Sequence, residues 1–220
     1  MISVIIPYVE NRGFLEDAVL SVCSQNIDED IELLLQKSKK TQGANVNAGL
    51  RRARGEFIKI LHDDDMLPPN SLSDLRNAIS ENDFVCGDQE TFGDEIFCPH
   101  PQVYRGRSPD FHDMLNENQI YGGTTLYRKS TLLAVGGYDE ELWTGEEYDL
   151  HLRLLSVGYS CTYTPHVVHK YRLHEHNKSY YMGPGEKKER REFIREIANR
   201  YNVSRVTMRY AIKDKTRKHI

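Results

Sequence analysis

The chain has 220 residues, 39% hydrophobic and 28% charged, with a formal net charge of −4, the balance of a water-soluble globular protein with one real core. No apolar run approaches the ~20 residues of a membrane span, and the start MISVIIPYVE lacks the basic opening and cleavage site of a signal peptide, so a cytoplasmic protein is expected. Cys23, Cys86, Cys98 and Cys161 form no CxxC, which argues against a zinc knuckle or a disulfide framework.

Ile2–Tyr8 is a short β-branched run stopped by proline, and Phe14–Gln25 places Phe14, Leu15, Ala18, Val19 and Val22 at helical spacing. A strand over Ile31–Leu35, a helix over Ala44–Ala53 and a strand over Phe57–Leu61 follow, then a helix opened by Ser71 with Asp74 at capping-box spacing. Strands alternating with helices predict an α/β fold with a mostly parallel, Rossmann-like central sheet covered on both faces. Ligands in such sheets bind beyond the carboxyl ends of the strands. After residue 83 the pattern loosens. DFVCGDQETF and TTLYRKS read as strands, GEEYDLHLRLLSVGY as a helix ended by Gly158, and CTYTPHVVHKYRLH as paired strands split by Pro165.

Residues 186–220 carry 12 Lys and Arg against 5 Asp and Glu. They are read as a basic C-terminal helical extension of a 1–185 nucleotide-binding domain. Phe193, Ile194, Ile197, Ala198 and Tyr201 form one stripe of a helix over 186–201, and a second helical segment is expected over Val203–Ile212. A solvated helix face explains such a basic run more readily than nucleic acid, and a peripheral membrane contact through it stays open.

The chemistry centres on GEFIKILHDDD, where Asp63, Asp64 and Asp65 end an apolar strand. One aspartate suffices to cap a helix, whereas three in a crevice suit a hard divalent cation, Mg²⁺ or Mn²⁺, held together with a substrate's phosphates. Glu146 and Glu147 open the helix after Trp143 and Gly145, either as N-terminal caps or as a general base. In YRLHEHNKS, His174 could complete a metal's coordination while Arg172 or Lys178 offsets charge on a departing diphosphate.

With these motifs in order, together with SVIIPYVENRGFLEDAVLSVCSQ, NVNAGLRRARGEF and GGTTLYRKSTLLAVGGYDEEL, residues 3–179 resemble a family 2 glycosyltransferase of the GT-A fold. The resemblance implies inverting transfer of a sugar from a nucleotide diphosphate donor, expected to be a UDP-sugar, to a hydroxyl of a glycan or glycolipid. It implies Glu147 as base, with Glu146 beside it, and a metal on Asp64, with Asp65 as the alternative and His174 as partner. Pro7, Tyr8, Glu10, Asn47, Asp63, Arg172 and Lys178 fall on the donor side, and Gly123, Thr124 and Trp143 on the acceptor side. Two departures stand out: Gln36-Lys37-Ser38 replaces the aspartate turn that reads the uracil ring, and His62 occupies the place of the metal motif's first aspartate. A homo-oligomer stays open, and the rival reading is a catalytically silent nucleotide- or glycan-binding docking module.

Overall fold

In the computed structural model, which describes residues 1–38, 40–177 and 184–201, the chain runs β1 (Ile2–Tyr8), α1 (Leu15–Cys23), β2 (Ile31–Lys37), α2 (Gln42–Arg52), β3 (Phe57–Ile60) and α3 (Ser71–Ile79). It continues with β4 (Phe84–Gly93), β5 (Val103–Tyr104), α4 (Phe111–Asn116), β6 (Leu126–Arg128), α5 (Lys129–Ala134), α6 (Glu146–Ser156), β7 (Cys161–Leu173) and α7 (Pro184–Tyr201). The seven strands form one sheet. β1 pairs in parallel with both β2 and β3, β6 lies antiparallel between β3 and β4, and β7 pairs in parallel with β4, which also takes β5 antiparallel. Five strands therefore share one direction and two oppose it, so the sheet is mostly parallel by direction and mixed by pairing.

The alternation of β1 divides its side chains between two cores. Ile2, Val4 and Ile6 pack with Ala18 and Val22 of α1 and Leu72, Leu75 and Ile79 of α3. Ile5 packs on the opposite face with Val46 and Leu50 of α2, Leu150 and Leu154 of α6, and Ile197 of α7. Both faces are covered by helices, the condition under which parallel strands are stable. The loops after β1, β2 and β3 consequently open at one edge of the sheet.

Two local expectations are corrected. Cys161–Leu173 is one strand and not two, because its register against β4 shifts between Cys86 and Asp88, from Tyr163 to Val167. Pro165 falls in that irregularity, exposed, where no ladder N–H is required of it. Gly87 faces the bulge, and a Cβ there would come within 2.7 Å of Val168. At α3 the N-cap is Asn70, without a side-chain capping bond, and Ser71 is already helical. The Ser71 hydroxyl instead donates to the Val168 carbonyl at 2.5 Å, tying the helix to β7.

The stripe of α7 faces the body: Ile197 is fully buried, and Phe193, Ile194 and Tyr201 pack on the same cluster. Tyr201 Oη donates to Asp149 Oδ1 at 2.6 Å, and Arg153 donates to Asp149 Oδ2 at 2.6 Å and to the carbonyls of Val135 and Gly137. No helix among the described residues is long and apolar enough to cross a membrane. The expected segment Val203–Ile212 and the basic tail lie outside the described residues.

Truncating Ile197 to Ala removes a side chain that fills the contact between α6 and α7. It should lower stability by about 2–4 kcal/mol in urea denaturation, whereas Leu133→Ala, at a half-exposed position, should change it by less than ~1 kcal/mol.

Candidate active site

The loop after β3 answers the repulsion of its three carboxylates with partners drawn from distant segments. Asp65 is fully buried and does not line the cavity described below. Its Oδ2 accepts from His169 Nε2 at 3.0 Å and from His62 Nδ1 at 3.2 Å, and its Oδ1 accepts from the Arg172 backbone N–H at 2.9 Å. Burial opposes its charge, but these partners overcome it and hold the carboxyl well below the usual carboxylate range. Burial likewise opposes the charge on His62, yet the bond to Asp65 and the nearby Glu147 and Asp64 raise it to about 10. Burial keeps His169 below its ordinary value. A neutral His169 carrying its proton on Nε2 leaves Nδ1 as a bare acceptor, which matches that buried atom having no hydrogen-bond partner among the described residues. The donor atoms of His62, Asp65 and His169 lie within 4.8 Å of one another, so the trio also has the composition and spacing of a metal-ligand set.

Asp63 and Asp64 face the cavity and share Arg12, whose Nη2 lies 3.1 Å from Asp63 Oδ1 and 3.0 Å from Asp64 Oδ2. Burial pushes the Asp63 carboxyl up, Arg12 pulls it back, and Asp64 adds to the upward push. His174 Nε2 meets Asp64 Oδ2 at 3.2 Å. The His174 ring is set by Phe14, 4.6 Å away between centroids, and by the His176 backbone N–H, which donates to Nδ1 at 3.2 Å. Arg172 lies behind this pair. Its Nε donates to the Asp64 carbonyl and its Nη2 to Asp17, both at 2.8 Å, and its guanidinium is sandwiched 4.7 Å from Phe14 and 4.5 Å from Phe92. Lys178 lies outside the described residues.

Across the cavity, Gly145 takes a left-handed φ of 75° and starts α6. Only a residue without a Cβ is comfortable there, because an added methyl would sit 2.4 Å from Ile194 of α7. Both Glu146 and Glu147 line the cavity. The Glu147 carboxylate accepts from Gly123 N–H, at 3.3 and 3.2 Å to its two oxygens. Beneath it, Lys59 is fully buried on β3 and donates to the carbonyls of Gly123 and Thr125. Burial drives the Lys59 ammonium down to about 7, with Glu147 and Asp65 pulling against that drop.

The cavity holds about 770 Å³, within the range of sites for drug-sized ligands. Pro7, Tyr8, Glu10, Asp63, Asp64, Glu146 and Glu147 line it, and so does Arg12. Other residues singled out by sequence take different places. Asn47 is occupied by a turn, donating to Tyr138 O and Glu140 Oε1 and accepting from Tyr138 N–H. Thr124 is buried with its hydroxyl on the Tyr121 carbonyl, and Trp143 packs on Phe193 of α7 at 5.5 Å. Gly123 reaches the site through Glu147. In place of the missing aspartate turn after β2, the cavity receives Lys40, Gln42 and Asn45. Sequence reasoning missed Arg12, His169 and Lys59. Of these only Lys59 carries a local signal, a lysine at an inward position of the fully buried strand FIKI.

The model of glycosyl transferase family 2 matches residues 26–135, half of the chain, and that of the N-terminal domain of galactosyltransferase matches residues 105–177. An uncharacterized glycosyltransferase of Rickettsia prowazekii (strain Madrid E) is 24% identical over 208 residues, covering 79% of this chain and 64% of the relative. One from Bacillus subtilis (strain 168) is 25% identical over 111 residues, 49% of this chain and 41% of the relative. The chain thus spans 64% of the length of the Rickettsia relative it matches. Among solved structures, S. aureus TarS 1–349 in complex with UDP-GlcNAc superimposes with a TM-score of 0.66 at 16% identity, over 94% of this chain and 69% of that one. The UDP complex gives 0.65 at 13%, over 94% and 68%. At such identities the likeness is one of fold, the GT-A fold expected above. By the family match, this chain is a member of glycosyl transferase family 2.

Proposed function

We propose that the protein is a metal-dependent inverting glycosyltransferase that moves a sugar from a nucleotide-diphosphate donor, a UDP-sugar, to a hydroxyl of a glycan or glycolipid. The observation that carries this reading is the two-sided cavity. Asp63 and Asp64, whose two negative charges Arg12 offsets only in part, form one wall, and the Glu147 carboxylate forms another. The UDP and UDP-GlcNAc complexes of TarS, a protein of the same fold, support the choice of donor.

The residues fit a divalent ion at Asp64 and His174, whose Oδ2 and Nε2 lie 3.2 Å apart, a mixed oxygen and imidazole set that suits Mn²⁺ better than Mg²⁺. Bound there, the ion would supply positive charge to the donor's diphosphate. Asp65 is the weaker candidate, because both of its oxygens already serve His62, His169 and Arg172. The remaining steps fall to the chain's own groups. Glu147, steadied by Gly123 N–H, keeps lone pairs free to accept the proton of an acceptor hydroxyl. The freed oxygen attacks the anomeric carbon from the side opposite the diphosphate. The bond from that carbon to the phosphate oxygen breaks, its electron pair leaves on the nucleotide, and the configuration inverts. Arg12 supports the departing charge from the donor wall.

Calorimetry with UDP, with and without Mn²⁺, tests the metal. Affinity should fall at least about tenfold on chelation, roughly 1.4 kcal/mol or more. Asp64→Asn should remove most of that gain, whereas Asp94→Asn, an exposed position, should not. Equal affinity after chelation would overturn metal dependence.

Kinetics test the base. Glu147→Gln should lower transfer by ~10²–10⁴-fold while metal-dependent UDP binding survives. Since Glu146 also reaches the cavity, a larger loss in Glu146→Gln would exchange the two roles.

A further inference from the structure

A lysine in the middle of a four-residue strand whose other members are Phe57, Ile58 and Ile60 is an expensive choice, because a buried ammonium gives up its hydration and needs partners arranged in advance. A methionine of similar length would pack there without that demand. The partners of Lys59 show where its charge is directed. Nζ donates to the carbonyls of Gly123 and Thr125, at the entrance to β6, and Glu147 and Asp65 are the charged groups that act on it.

Gly123 is held from three directions. Its carbonyl takes Lys59, and its N–H holds the Glu147 carboxylate. Its Cα lies so close to the His169 ring that a Cβ would stand 2.5 Å from Cε1. Its φ of 76° belongs to the left-handed region that favours glycine. His169 in turn donates to Asp65, the buried member of the aspartate triplet. Gly122 closes the other side of Glu147, since a Cβ there would come within 2.6 Å of Oε2. The carboxylate therefore rests on a glycine pair whose orientation is anchored from inside the sheet.

We propose that Lys59 is a positioning residue for the base: by gripping the Gly123 carbonyl from β3, it fixes the Gly123 N–H that holds the Glu147 carboxylate toward the cavity. The proposal rests on the reading of Glu147 as the base. Lys59 touches no substrate and acts through Gly123. The rival role, satisfying two carbonyls at the entrance to β6 for stability alone, predicts no dependence on Glu147.

The test is a double-mutant cycle in the full chain. Lys59→Met and Lys59→Gln are each made in the parent and in the Glu147→Gln background, reading turnover of a UDP-sugar with Mn²⁺ and UDP affinity. In the parent, Lys59→Met should lower kcat by about 10–100-fold, the scale of a misplaced catalytic group, with UDP affinity within about twofold. In the Glu147→Gln background the same change should cost less than about twofold, because the group it positions is already gone. Lys59→Gln, whose amide can still donate to the Gly123 carbonyl, should recover part of the lost kcat, again only in the parent. Equal losses in both backgrounds, or a parental kcat in Lys59→Met, would overturn the proposal. If Lys59→Met does not fold, the same comparison with Lys59→Gln decides, an equal effect or no effect in the two backgrounds overturning it. Full turnover in Glu147→Gln alone would instead remove the base assignment itself.

Discussion

Three consecutive carboxylates at the end of an apolar strand are the constraint to which the rest of the site answers. Like charges about 5 Å apart repel by roughly 3 kcal/mol at an effective dielectric of about 20, so such a run persists only where cations or hydrogen-bond donors meet it. The chain meets it in two ways. Asp65 turns into the protein and is absorbed by His62, His169 and a backbone N–H of β7. Asp63 and Asp64 remain at the cavity and share Arg12 from the loop after β1. The inward aspartate ties the loop after β3 to β7, a connection reinforced by the bridge between Met66 and Lys170. The outward pair is left where a charged ligand can reach it.

This division explains why β7 is long and why it bulges. A strand that delivers His169 and Arg172 to the aspartate loop must extend along most of β4, and the bulge at Pro165 lets it do so without a proline N–H in the ladder. The second wall is built from the opposite end of the chain. Gly145 turns into α6 beneath Ile194 of α7, and Arg190 and Ile194 of α7 themselves line the cavity. The basic helix is therefore part of the floor beside Glu146 and Glu147, and its apolar stripe carries the packing that keeps it there. Lys59 and Gly123 join the two walls through the sheet.

Most of the sheet was legible because burial imposes periodicity. ISVIIPY, IELLL and FIKIL show their strands, and the stripe from Phe193 to Tyr201 shows the helix that packs on α6. The aspartate triplet and the glutamate pair stood out in the sequence, since clustered like charge at an element's end demands a reason. What could not be read were partners separated by long stretches of chain. Arg12 lies 51 residues from Asp63, His169 lies 104 from Asp65, and Lys59 lies 64 from Gly123. Periodicity describes which face a residue occupies and says nothing about which distant group it meets. Pro165 misled for the related reason that a proline ends a strand only when its position owes the ladder an N–H. Asn47 sits in a motif of the resemblance, yet its amide is spent on the turn at Tyr138, a contact 91 residues away.

We infer that the aspartate wall, its charge offset in part by Arg12, and the Glu147 wall act on one sugar from opposite sides. The most direct measurement is proton NMR of the first sugar released, before mutarotation, when the protein hydrolyses the UDP-sugar it turns over in the presence of Mn²⁺. Displacement from the side opposite the diphosphate predicts that an α-linked donor yields the β anomer first. Initial release of the α anomer would contradict the account.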